Sequence, residues 1–151
     1  MNNRKNDISN KIVNRLLQNE IVVIQDDQIS EWYENELTSK TIQNSILGRI
    51  KSWLKKADNV VLLDQWFPTT KHCFQCDNDL EISLSQRTYK CDCGFEMDRD
   101  IHAANNMIEY YNRYKKLQSV GTTDLKPVRK ITYKSYKELL KQEALLSSAT
   151  E

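Results

Sequence analysis

Glycine and proline are scarce in this chain, three and two of 151 residues, which excludes collagen-like and low-complexity architectures and leaves a globular, helix-rich chain as the expectation. Long apolar runs are missing as well. The longest, Ile21 to Ile24 and Val60 to Leu63, hold four residues each. That is far short of the ~20 that span a bilayer, so neither a transmembrane helix nor a membrane partner is expected. The opening Met-Asn-Asn-Arg-Lys-Asn has no apolar segment behind its charges, so a secretory signal is not expected and a cytoplasmic setting is. Neither sign of charge dominates, since 22 Lys and Arg face 21 Asp and Glu for a formal +1. Whole-chain charge therefore does not advertise a nucleic-acid partner, and any such case must rest on local motifs. Histidine occurs as His72 and His102 alone, both read as surface or packing residues, and cysteine is absent outside Cys73 to Cys93.

What is present reads as an α/β chain of about one domain. Ile8, Ile12, Val13, Leu16 and Leu17 recur at helical spacing and predict an amphipathic helix over 7–19. Glu20 to Gln25 is short, β-branched and apolar on both faces, which predicts a strand buried from both sides. A second helical pattern runs through Ile42, Ile46, Leu47, Ile50, Trp53 and Leu54, with Lys51, Lys55 and Lys56 loading its end, and Asn59 to Asp64 repeats the strand signature. Strand, helix, strand is a βαβ unit with parallel strands and a right-handed crossover. Two such strands cannot bury themselves, so further strands are expected from a partner or from the rest of a larger fold. Beyond Pro68 a hairpin is expected from Ile82 to Leu84 and Arg87 to Lys90. A third helix begins near Asp98, with Asp98 or Asp100 as N-cap and Ala103, Ala104, Met107, Ile108 and Tyr111 on one face. The tail from Ser119 reads as loosely attached, with a short helix at Tyr136 to Leu146, and Trp32, Trp53 and Trp66 read as core or rim residues.

The chemistry concentrates in the cysteines. Cys73-Phe-Gln-Cys76 and Cys91-Asp-Cys93 form two knuckles, the second with one intervening residue where two are usual. In a reducing compartment the pairing suits one tetrahedral zinc with all four positions filled, a site that braces rather than catalyses; four ordinary buried thiols are the plain alternative. Asp98 and Asp100 at a helix start serve equally as cap and dipole-complementing charge or as metal ligands. Lys71, Arg87, Lys90 and Arg99 surround the cysteine segment as a candidate phosphate-contacting face, diluted toward a mixed solvated one by Asp77, Asp79, Glu81, Asp92 and Glu96.

Phe67-Pro-Thr-Thr-Lys-His-Cys73, Leu84-Ser-Gln-Arg-Thr-Tyr-Lys-Cys91, Cys93-Gly94 and Asp98-Arg-Asp-Ile-His-Ala-Ala-Asn-Asn-Met107 together resemble the C-terminal region of TnpB proteins, transposon-encoded RNA-guided DNA endonucleases related to type V CRISPR effectors. Gln25 to Ile29 and Thr41 to Ile50 look like the segment around that family's second nuclease motif. The resemblance implies part of a RuvC-type, RNase H-like core interrupted by a zinc ribbon of the target-nucleic-acid-binding kind. It also implies three carboxylates that hold two divalent cations, usually Mg2+, for phosphodiester hydrolysis. The third family acid maps onto Asp100, with Asp98 beside it; the second is normally a Glu, for which Asp27 is the stand-in. The first lies upstream of anything in this sequence.

The expected organisation is a partial RuvC-like segment over 1–66, a zinc ribbon over 67–97, a RuvC-like helix over 98–118 and a flexible tail over 119–151. The expected function is nucleic-acid binding by a TnpB-like fragment in the sphere of DNA transposition and recombination, with DNA and guide RNA as partners and no cleavage by this chain alone. Three alternatives stand beside it: a regulatory module docking on full-length TnpB, a split nuclease completed by a complementary chain, and an inactive mobile-element remnant.

Overall fold

The computed structural model describes residues 2–27, 46–83, 85–119 and 128–148. Trp32, Ile42 and Leu84, with most of the sequence around the second nuclease motif, lie outside the described residues. The chain divides into two units, Met1–Gln65 with Val128–Lys130, and Trp66–Pro127 with Ile131–Glu151.

The first unit is the βαβ motif preceded by a helix. Helix α1 (Asn2–Leu17) leads into β1 (Val22–Asp26), and α2 (Leu47–Leu54) precedes β2 (Val60–Asp64). The strands are parallel and in register, Val22 opposite Val60 and Asp26 opposite Asp64. Val13, Val22, Ile50, Leu54 and Val60 form the core, with Trp53 partly buried against it. At the end of α1, Asn59 donates to the carbonyls of Leu17 (3.2 Å) and Asn19 (2.8 Å), satisfying acceptors that a helix end leaves open.

Two expectations for this unit are revised. The third strand needed to steady the sheet is β7 (Lys130–Ile131), giving the order β1-β2-β7, and Leu62 donates to the Arg129 carbonyl at 2.9 Å. It comes from the segment read as a loose tail; two residues are too few to show strand periodicity. β1 is also only half-buried beyond Val22, because β2 is the central strand and takes the greater burial.

The second unit holds two short hairpins and two helices. β3 (His72–Cys73) pairs with β4 (Asn78–Asp79), and β5 (Thr88–Lys90) pairs with β6 (Glu96–Asp98), both antiparallel. No strand forms at Ile82–Ser83. The cysteine pairs thus do not flank one hairpin; each pair sits on its own. Helix α3 (Arg99–Ser119) follows, and α4 (Tyr133–Ser148) packs on it. Its Tyr136 is 3% exposed and, with Phe67, Tyr110 and Tyr133, builds an aromatic cluster with ring centroids 4.8–5.6 Å apart. Residues 133–148 are therefore a docked helix rather than a loose tail.

The buried face of α3 also differs from the expected one. His102, Asn106, Tyr110, Tyr114 and Leu117 point inward, while Ile108 is 41% exposed. The apolar pattern misplaced the face by about one residue because two of the inward residues are polar.

Candidate metal centre

Each hairpin turns at its cysteine loop, and each loop contains one residue in the left-handed region. In the first this is Asp77, with φ 56°, a residue type whose short polar side chain tolerates that conformation. In the second it is Gly94, with φ 90°, where any side chain would be strained. Gly94 donates to the Cys91 carbonyl at 2.9 Å and Cys91 donates to the Phe95 carbonyl at 2.8 Å, closing the loop around the single residue between Cys91 and Cys93.

The two loops bring Cys73, Cys76, Cys91 and Cys93 together with all four sulfurs within 4.8 Å of one another. Cys73 Sγ lies 3.9 Å from Cys93 Sγ, and Cys76 Sγ lies 3.4 Å from Cys91 Sγ. A tetrahedron with Zn–S bonds of ~2.3 Å separates its sulfurs by about 3.8 Å, so the spacing fits. The donor chemistry fits too. The Cys93 backbone amide brings the Cys91 thiol down to about 7. Against the Asn78 amide, which favours its thiolate, the neighbouring sulfurs push the Cys76 thiol up to about 12. Four thiols so close cannot all ionise alone, and a divalent cation supplies the compensating charge. These four residues could hold a metal such as zinc; among the described residues they are the one cluster of three or more Cys, His, Asp or Glu ligands so arranged.

Little apolar mass surrounds them. The local core is Tyr89 with two of the cysteines, flanked by Leu80, Ile82 and Phe95. The ribbon is instead clipped to α3 by buried polar groups. Asn106, 2% exposed, donates from Nδ2 to the carbonyls of Thr69 and His72, both at 2.7 Å. His102 Nε2 lies 2.9 Å from the same His72 carbonyl, and since a carbonyl only accepts, Nε2 carries the proton. Burial lowers the His102 pKa and keeps the ring neutral. The ring stacks on Tyr89 with centroids 3.7 Å apart. Sequence reasoning treated His102 as packing and overlooked Asn106; their four-residue spacing on one helix face was the available signal.

Residues 46–107 match the family model of the Cas12f1-like TNB domain. A protein of Streptomyces pristinaespiralis described as a putative RNA-guided DNA endonuclease is 30% identical over 112 residues, covering 70% of this chain and 28% of that protein. This is a TnpB-like, Cas12f-like protein. The TnpB-like chain spans about a quarter of the length of the curated relative it matches.

The carboxylates fall in different units. Asp98 is the N-cap of α3: its Oδ1 accepts from the amides of Asp100 (2.9 Å) and Ile101 (3.1 Å). Asp100, in the first turn, is 75% exposed and lies 3.6 Å from Arg99. In the first unit, Asp27 is paired with Lys51 at 3.0 Å. Asp26 pairs with Lys55 and with Lys130, at 3.2 Å for the latter. Gln25 Nε2 faces the carbonyls of Asp64 and Gln65 at 3.4 and 3.3 Å. Of the four candidate phosphate contacts, Lys71 is paired with Glu81 at 2.9 Å, Lys90 with Glu96 at 3.0 Å and Arg99 with Asp100. Arg87 is exposed and has no ion pair among the described residues.

Proposed function

We propose that this chain is the nucleic-acid-binding C-terminal portion of a TnpB-like RNA-guided nuclease, with a ribbon braced by zinc at Cys73, Cys76, Cys91 and Cys93 beside part of a RuvC-type core. DNA and guide RNA are the partners of that assembly. The observation that carries the reading is the convergence of four thiols at tetrahedral spacing inside the segment that matches the Cas12f1-like TNB domain. Zinc at a filled four-sulfur site supplies folding energy and no open position for chemistry, so the ribbon positions nucleic acid.

The chain does not cleave DNA alone. Asp100 and Asp27 are two acids where two-cation hydrolysis needs a set that bridges and caps both ions, and a cation at Asp27 would first have to displace Lys51. The same pairing disfavours the split-nuclease alternative unless the second chain also moves that lysine.

The test is fluorescence anisotropy of labelled single-stranded and duplex oligonucleotides with the zinc-loaded chain, alongside plasmid incubation with Mg2+ or Mn2+. Salt-sensitive binding is expected, weakened by joint reversal of Lys71, Arg87 and Lys90 to Glu with zinc content unchanged. Undetectable binding at low salt overturns the binding reading. Cleavage abolished by Asp100→Ala overturns the inactive one.

A further inference from the structure

The knuckle loops and one flank of α3 enclose a groove of about 430 Å³ in the second unit, whose lining includes Phe74, Gln75, Phe95, Asn105, Glu109 and Arg113. Phe74 and Gln75 are the two residues between Cys73 and Cys76, and Phe95 follows Gly94 in the opposite loop. The metal loops themselves thus present the rings. Arg113 lies over the Phe74 ring at 5.0 Å and is held there by Asp77 at 3.0 Å, so its charge is already matched. Asn105 donates to Met97 Sδ at 3.4 Å, which leaves its side-chain oxygen without a partner among the described residues. The side chains of Gln75 and Glu109 make no hydrogen bond or ion pair among the described residues.

The groove is therefore aromatic on its walls, rich in uncommitted acceptors along its edge and without a net positive charge. A phosphate finds no free cation here, and Lys71, Lys90 and Arg99 around the ribbon are themselves paired with acids. A nucleobase has the opposite needs, namely a π-face to stack and an edge to hydrogen-bond. We propose that this groove receives one unpaired nucleobase of a single strand, packed against the Phe74 and Phe95 rings and read along its edge by Gln75, Asn105 and Glu109. The acceptors favour bases that carry an exocyclic amino group, adenine, cytosine or guanine, over thymine or uracil. The inference rests on the nucleic-acid-binding reading above and sharpens it from charge to base contact.

The experiment measures binding of the full, zinc-loaded chain to four labelled ligands with equal numbers of phosphates: a cytosine-rich DNA strand, its RNA counterpart, an abasic strand and a duplex. At least one base-bearing single strand should bind about tenfold more tightly than the abasic strand, the scale of one base that is both packed on an aromatic ring and held along its edge, with neither contact sufficient alone. The DNA and RNA arms identify which strand supplies the base. The double substitution Gln75→Ala with Asn105→Ala, at two exposed positions, should cut that advantage to about twofold or less while leaving abasic and duplex binding unchanged. Phe74→Leu should do the same; zinc content, measured on every variant, verifies that the ribbon is intact. Equal affinity for base-bearing and abasic strands, or an advantage that survives the double substitution, overturns the inference and leaves the binding reading standing. Failure of all four ligands to bind overturns both.

Discussion

The strand pair of the first unit and the ribbon of the second are held together by different means. The first packs Leu54 of α2 in one core with Val60 of β2, 3% and 2% exposed, and ties the end of β1 to α2 through lysine–carboxylate pairs. The second has Tyr89 as the one large side chain in its ribbon core and relies on four thiols, an amide and an imidazole. Apolar burial is graded, so the first unit should lose stability in steps as contacts are removed. A four-ligand cluster and a buried polar clip are closer to all-or-none, because removing one partner leaves the others unsatisfied.

The largest expected effect breaks the contrast at the cysteines. Cys73→Ser should reduce zinc from one equivalent per chain to a small fraction and remove protection from amide exchange across β3 to β6, while β1 and β2 keep theirs. Structural zinc contributes apparent binding free energies of about 10–16 kcal/mol in small domains, more than so small an apolar core can replace. A ribbon that keeps its protection without metal would place it with the first unit.

That contrast also decides what could be read from the sequence. β1 and β2 were visible because β-branched runs of strand length are bounded by polar residues, and their parallel pairing followed from the helix between them. The four cysteines were visible because paired spacing has few other uses. The inward face of α3 was not, since His102 and Asn106 carry no apolar signal yet occupy its most buried positions. β7 was missed because it has two residues, and the partner of β5 was misassigned because the knuckle loop, closed by Gly94 in the left-handed region, sets the pairing rather than strand composition. The aromatic seat of α4 escaped notice because its tyrosines, Tyr133 and Tyr136, stand in a strongly charged stretch.

A middle-sized effect sharpens the contrast without touching metal. Asn106→Ala removes both hydrogen bonds by which this buried side chain ties α3 to the Thr69 and His72 carbonyls. The expected loss is about 2 kcal/mol, read from urea unfolding of the zinc-loaded chain. The loss should appear in the transition reported by the second unit. An equal loss reported by β1 and β2 would mean that the two units do not hold themselves by separate means.

The smallest effect belongs to the first unit and separates the two by pH. The Lys55 hydrogen bond, with help from Lys130, holds the Asp26 carboxyl below its ordinary value of 3.8. A depressed folded-state pKa adds stability that is fully present above the ordinary value and is lost as pH falls through the lowered one. Both lysines are partly exposed, 41% and 54%, so screening limits the contribution to below about 1 kcal/mol. Asp26→Asn should therefore lower the urea midpoint slightly at neutral pH and low salt, less at high salt, with the gap closing in acid as the native carboxyl is protonated. The ribbon should fail earlier on the same descent, because protons compete with metal for thiolates and release it before Asp26 titrates. Loss of the β1–β2 signal before zinc release would reverse that order and refute the reading that metal, rather than graded burial, holds the ribbon.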